Sequence, residues 1–268
     1  MKQHQNASYR WKKKPFIEQP LVRYSVLTGI LLYTVFALSS LSVDPQRIIQ
    51  GLPRARQIFS GAFPPDFISR AAVIRRGFIE SIQITVIATA VGILLSVPFG
   101  IMAARNVVPR PVYLLGRGII ILCRSFHPII TGIIFVKAVG LGPFAGILTL
   151  IVYSIGFVGK LFAEAVEEID HGQVEAIQAS GAGYLTVLVY AVFPQVLPRL
   201  IGLSLYQLDI NLRASAIIGM VGAGGIGATL NSAFGRYDYD TAVAILLVMI
   251  ILIMLTEALS SRLRRAGR

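Results

Sequence analysis

Residues 175–198 read EAIQASGAGYLTVLVYAVFPQVLP. The stretch opens on Glu175 and Ala176, reaches Gly181 six positions after the glutamate, and closes on Pro194 and Pro198. It lies between two long apolar segments, so it is expected to fold outside the hydrocarbon that those segments cross. Residues 174–179 suit a short helix with Glu175 in its first turn, where the helix dipole favours an anion. Gly181 and Gly183 then allow positive φ and break that helix. Residues 184–193 form a second, mostly apolar helix that Pro194 ends. A span takes about 20 apolar residues, so this shorter piece is expected along the membrane surface.

Composition points the same way. The chain has 268 residues, 55% of them hydrophobic and 14% charged. A soluble domain carries about a quarter charged residues. The net charge of +12 does not indicate nucleic acid, because the excess sits in flanks and loops, as membrane topology requires. The single cysteine, Cys123, excludes an internal disulfide framework and a Cys-rich metal site. His4, His127 and His171 have no metal-ligand spacing, so no metal or bound cofactor is expected.

Apolar runs predict an all-α, polytopic membrane protein with six spans. They cover residues 24–41, 82–104, 118–139, 144–162, 198–218 and 241–258. Pro98 is expected to kink the second and Pro128 to interrupt the third. A first span without a small-x-small cleavage site reads as uncleaved. Basic residues set the topology. Lys2, Arg10, Lys12, Lys13, Lys14 and Arg23 precede the first span, and Arg262, Arg264, Arg265 and Arg268 follow the last. Arg105, Arg110 and Arg117 follow the second. Both termini and the Glu175 loop are then cytoplasmic. Residues 44–76 disagree, since they must be external yet hold Arg47, Arg54, Arg56, Arg70, Arg75 and Arg76. That segment is a candidate for interfacial helices.

Ionisable residues within spans are costly and mark functional candidates. Asp209 and Arg213 stand i,i+4 on the fifth span, with Asn211 between them. Arg124 and His127 stand i,i+3 before the Pro128 break. One reading makes these five residues a polar lining of a translocation path, with guanidinium groups suited to phosphorus oxyanions. The other makes Asp209–Arg213 a self-neutralising pair that fixes helix packing. The string Gly222-Ala223-Gly224-Gly225-Ile226-Gly227 matches G-x-G-x-x-G, but it follows a membrane span and precedes the polar loop 231–240. It lacks the strand–turn–helix setting of a dinucleotide site. Its small residues suit close helix approach or irregular backbone facing a cavity. No P-loop motif occurs, so the chain itself is not expected to be an enzyme that hydrolyses ATP.

The 175–198 stretch resembles the EAA loop of bacterial ABC-importer permeases. Glu175, Ala176, Gly181 and Pro194 fit that pattern, whereas Ile177 replaces its third residue, and Ala191 and Phe193 stand where Ile and Leu are usual. The segment from Asn211 to Gly227 is further similar to the phosphonate-importer permeases, a methionine-permease-like group. The resemblance covers roughly residue 79 to the C-terminus. It implies a membrane subunit of the bacterial cytoplasmic (inner) membrane that imports phosphonate, phosphate or phosphite by alternating access. It implies a second permease copy or paralogue, an ATPase dimer carrying ATP-Mg, and an external binding protein. Glu175, Ala176, Gly181, Ala182 and Pro194 would form the ATPase contact.

The organisation expected is a basic tail (1–23), a first span with its external segment (24–76), a permease domain (77–261) containing the coupling loop (170–197), and a second basic tail (262–268). A secondary transporter using Asp209 and Arg213 as an ion relay, a permease of the same group for another small solute such as an amino acid, and a membrane-anchored assembly protein remain as alternatives.

Overall fold

The computed structural model describes residues 19–40 and 45–266. Lys2, His4, Arg10, Lys12, Lys13, Lys14 and Arg268 therefore lie outside the described residues. Helices follow in the order α1 (Pro20–Ser40), α2 (Pro45–Gly61), α3 (Ala71–Met102), α4 (Arg110–Ser125), α5 (Pro128–Val139), α6 (Pro143–Glu167), α7 (His171–Ala179), α8 (Tyr184–Val187), α9 (Phe193–Ile218), α10 (Gly225–Gly235) and α11 (Tyr239–Ala266). No strand occurs among the described residues. The chain divides into two compact units, the second running Ile58–Arg268. The site described below lies wholly within that second unit.

Among the described residues, five helical runs are long and apolar enough to cross a membrane, and a sixth arises when α4 and α5 count as one bent span. The helices depart from the expected spans in four places. The second span begins at Ala71 rather than near residue 82. The third starts at Arg110 rather than near residue 118, and at the expected Pro128 interruption its axis turns by 90°. Phe126 and His127 are extended there, because the ring of Pro128 disfavours α conformation in the residue before it. The fifth span does not start at Pro198. Residues 184–223 form one continuous helical run, so the expected surface helix ending at Pro194 is absent. Leu188–Val192 wind as a π-turn, and Pro194 follows it in the first turn of α9. A proline needs no N–H donor at a helix start, and the wider turn makes room for its ring. Finally, the expected polar loop 231–240 is helical through Gly235.

The core is the pair α3 and α6, which run side by side in the same direction. Lipid tails provide no hydrophobic drive between helices, so their association rests on close packing and hydrogen bonds. Gly77, Ser81, Thr85, Thr89, Gly92, Ser96 and Gly100 line the buried stripe of α3. A Cβ at Gly92 would stand 2.5 Å from the Ser154 Cβ, and one at Gly100 would stand 2.7 Å from the Phe162 ring. That approach brings polar groups into reach. Asn211 Nδ2 donates to Thr89 Oγ1 at 2.9 Å and to Ser154 Oγ at 3.0 Å. Its Oδ1 accepts from Gln207 Nε2 at 2.9 Å, and the same amine donates to Ser154 Oγ at 3.0 Å. Gln207, Asn211 and Ser154 are all 0% exposed. The network ties α3, α6 and α9 together.

Replacing Asn211 with Leu would strand Thr89 Oγ1 in a dry core and take one bond each from Ser154 and Gln207, which keep the bond between them. A stranded group costs about 1–3 kcal/mol. Purified Asn211→Leu should unfold at a clearly lower temperature than the parent, and an unchanged midpoint would show that the network does not hold the three helices.

Candidate functional site

The 90° break between α4 and α5 opens a cavity of about 560 Å³. Arg124, His127, Tyr153 and Arg213 line it, with Ile210 and Ile217 among the apolar walls. Two guanidinium groups from different helices thus line one open cavity, with Arg124 exposed and the Arg213 side chain about half-exposed. Arg124 is held there by α6, since a Cβ at Gly156 would stand 2.7 Å from Arg124 Cγ and 3.1 Å from the Cys123 carbonyl carbon. His127 caps α5, its Nδ1 accepting from the Ile129 N–H at 3.4 Å.

Arg213 is ion-paired with Asp209 one turn earlier. The two partners differ in setting: the Asp209 side chain is 10% exposed and that of Arg213 47%. Asp209 Oδ1 is buried without a hydrogen-bond partner among the described residues. A guanidinium has five donors, so Arg213 can hold the buried carboxylate and still present N–H groups to the cavity. Asp209 is therefore a carboxylate behind the lining, and Asn211 belongs to the buried network rather than to the cavity wall. Both readings of the Asp209–Arg213 pair have structural content here. It is a self-neutralising contact, and one of its members lines a cavity.

The sequence does not single out Tyr153 or Gly156. A phenol and a glycine in an apolar span carry no signal until α4 is seen lying across α6.

The Glu175 loop forms the opposite end of α6. Asp170 caps α7, its Oδ1 accepting from the Gly172 N–H at 2.9 Å. The helix starts at His171, three residues earlier than expected, which puts Glu175 in the second turn rather than the first. Glu175, Ala176 and Gly181 are exposed and Ala182 is half-buried. Gly181 makes the bend at φ 79°, a left-handed value that suits glycine. Gly183 does not share that conformation; it is extended, φ −73° and ψ 166°.

The loop is bolted to the helices behind it. The Asp170 N–H donates to Gln195 Oε1 at 2.9 Å, and Glu168 pairs with Arg199. Glu167 Oε1 accepts from the Arg105 N–H at 2.9 Å and from Arg117 Nη2 at 3.0 Å. Arg117 also donates through Nε to the Ala103 carbonyl at 2.9 Å. Arg117 sits on α4, the helix that carries Arg124 to the cavity. No local pattern in the sequence marks these anchors, because each pairs residues far apart in the chain.

The glycine string closes the end away from the loop. Gly222 is left-handed, φ 97°, and its carbonyl accepts from the Gly142 N–H at 2.9 Å. Ser81 Oγ and Glu80 Oε1 accept from the first N–H groups of α10, at 2.8 and 3.1 Å. Those N–H groups would otherwise be orphaned at the helix start. The string is tight packing with irregular backbone and presents no phosphate cradle.

Residues 96–266 match the family described as binding-protein-dependent transport system inner membrane component. The chain is 40% identical over 240 residues to the phosphate-import permease protein PhnE of Mycolicibacterium smegmatis, covering 89% of this chain and 45% of that protein. It therefore spans less than half the length of that relative. It is 38% identical over 246 residues to the phosphite transport system permease protein PtxC of Stutzerimonas stutzeri, covering 91% and 88% of the two chains. Among solved structures, an inward-facing MetNI methionine ABC transporter chain aligns with a TM-score of 0.64 at 26% identity, covering 75% of this chain and 100% of that one.

Gly156 sets where Arg124 stands. Gly156→Val should push α4 off α6, raising the rate at which Cys123 reacts with a membrane-permeant thiol reagent by severalfold, with Gly156→Ala intermediate. Unchanged Cys123 reactivity in both variants would separate Arg124 from this packing.

Proposed function

The chain belongs to the binding-protein-dependent transport system inner membrane component family, and from that membership we propose that it is the membrane subunit of an ABC importer for a phosphorus oxyanion: phosphonate, phosphate or phosphite. The observation that carries the substrate class is the convergence of Arg124 and Arg213, with the Tyr153 side chain, on one cavity. Guanidinium groups match the tetrahedral oxygens of such anions by paired, charge-assisted hydrogen bonds. Relatives named for phosphate and phosphite transport support the same class.

In this reading Arg124, Arg213, His127 and Tyr153 form a weak anion station on the path. Asp209 holds Arg213 and offsets one positive charge, so an anion is eased through rather than trapped. Asn211 contributes only by fixing α9 against α3 and α6. Charged groups on an exposed face cannot stand against hydrocarbon, so a second copy or a paralogue covers the cavity face and the path runs between the two subunits. An external binding protein delivers the substrate, and both termini lie with the loop on the cytoplasmic side.

The α7 loop is the ATPase contact. Its exposed Glu175 accepts charge-assisted hydrogen bonds from a basic residue of the partner. Ala176 gives the small surface that allows close docking, and the Gly181 bend with Ala182 turns the chain back toward Pro194. ATP-Mg binds the partner chain. Closure of the ATPase dimer moves α7, and its movement reaches α9 through the Asp170–Gln195 bond and α4 through Glu167 at the end of α6 and its partner Arg117. The cavity then alternates between the two sides, an equilibrium biased by which state each ligand contacts better.

Two measurements test these roles. Arg124→Leu and Arg213→Leu should each lower phosphonate or phosphate uptake by about tenfold or more, the loss of one charge-assisted bond, while the assembled complex still copurifies with its ATPase. Loss of assembly together with uptake would assign the residue to packing instead. Gly181→Val should leave an inserted protein yet weaken ATPase copurification or uncouple hydrolysis from uptake, with Glu175→Ala milder. Normal copurification and uptake in Gly181→Val would remove this loop as the coupling element.

A further inference from the structure

The arginine-rich segment before α3 conflicts with simple charge topology, and its structure supplies a reason. Pro45–Gly61 is a 17-residue helix, α2. At 100° per residue, Ile49, Leu52, Ala55 and Phe59 fall on one side, and Arg47, Gln50, Arg54 and Gln57 fall on the other; Arg56 falls within the apolar side, between Leu52 and Ile49, from where its long stem can carry the charge out to the headgroups. The large described side chains of that apolar side are exposed, and Ala55 is half-buried. Ile49 is 65% exposed, Leu52 63% and Phe59 70%. A helix this polar does not cross a bilayer, and in water its apolar side would be left without a partner.

The chain keeps α2 at a membrane boundary. α1, a 21-residue apolar helix of span length, ends at Ser40, and only residues 41–44 separate it from α2. That link reaches at most about 18 Å. The other end of α2 is fixed at the start of α11, another span. A Cβ at Gly61 would stand 3.6 Å from the Tyr239 ring. Just beyond, the Asp66 N–H donates to the Asp240 carbonyl at 3.3 Å, and Arg70 pairs with Asp238 at 3.0 Å. A helix of about 25 Å held near the boundary at both ends lies along it.

We propose that α2 is an in-plane membrane-surface helix, with Ile49, Leu52 and Phe59 in the headgroup–acyl boundary and its arginines on anionic phospholipid headgroups. Charge complementarity selects that occupant. Arg54 and Arg56 are both exposed on α2. A set of cations beside an apolar helix face matches an anionic lipid surface. Each arginine near such a surface favours anionic over neutral lipid by about fivefold. The lipid phosphates are the counter-charges for Arg54 and Arg56. The inference does not depend on which solute the cavity passes.

The test uses the full chain with Cys123→Ser, reconstituted in phosphatidylcholine vesicles with and without phosphatidylglycerol, and spin-labelled at Leu52→Cys or Arg54→Cys. Position 52 should be accessible to oxygen and shielded from a water-soluble relaxant, and position 54 the reverse. Phosphatidylglycerol should drive position 52 deeper, an effect that Arg47→Gln/Arg54→Gln/Arg56→Gln abolishes. Equal exposure of both positions to the aqueous relaxant would overturn the in-plane placement. Shielding of position 52 from both relaxants would mean that protein covers the face and would overturn the lipid assignment. A depth indifferent to phosphatidylglycerol, or a response unchanged in the triple variant, would overturn the role of the arginines.

Discussion

A guanidinium group in an apolar helix needs a counter-charge or a polar space around it, and one cavity of this molecule is lined by two of them. Arg213 stands one turn from a buried carboxylate that neutralises it. Arg124 stands at the end of a helix that must break, because His127 precedes a proline. The break turns α5 away from α4 and leaves the cavity into which both arginines face. Without Gly156 the α4 backbone could not lie against α6, and the two cations would not share one space. The same close approach of small residues that seats α4 also lets Asn211 reach Thr89 and Ser154, so the polar core and the cavity depend on one packing solution.

The loop end of the molecule is built from different material. There the contacts are ion pairs and caps among residues outside the apolar segments. Glu167 serves two partners, the Arg105 N–H and Arg117, and so joins the end of α6 to the α3–α4 turn and to α4. In the proposed coupling, a displacement of α7 is carried by α4, a rigid rod of 16 residues, to Arg124 near its far end. The physical route from loop to cavity is therefore short in elements, one helix and one shared carboxylate oxygen, although the two sites are far apart in sequence. At the opposite end, Gly222 and its neighbours give an irregular turn whose free N–H groups are taken up by Ser81 and Glu80.

Much of the site is legible in the amino-acid sequence. Charged residues in apolar spans single themselves out, and three of the five candidates, Arg124, His127 and Arg213, line one cavity. The Gly181 bend is also readable, since few other residues adopt its φ. Two departures have a common cause, which is that a residue's neighbours in the chain do not fix its surroundings in the fold. The missing N–H of Pro194 predicts a helix end, but a preceding π-turn removes the conflict. The position of Asn211 between Asp209 and Arg213 suggests a lining role, but helical rotation turns it to the buried side, where Thr89 and Ser154 hold it.

The sequence by itself determined the class of molecule: apolar runs of span length, an interrupted third span, an exposed loop with a left-handed glycine, and costly charges at defined positions. These are local properties, set by side-chain hydropathy and by what proline and glycine allow the backbone. Only the tertiary structure decided which charges meet, which are neutralised, and which polar residues serve packing. Those outcomes depend on the distance between helices and on their rotation about their own axes. Both are fixed by small residues such as Gly92, Gly100 and Gly156 fitting against partners on other helices, a match that no single stretch of chain contains.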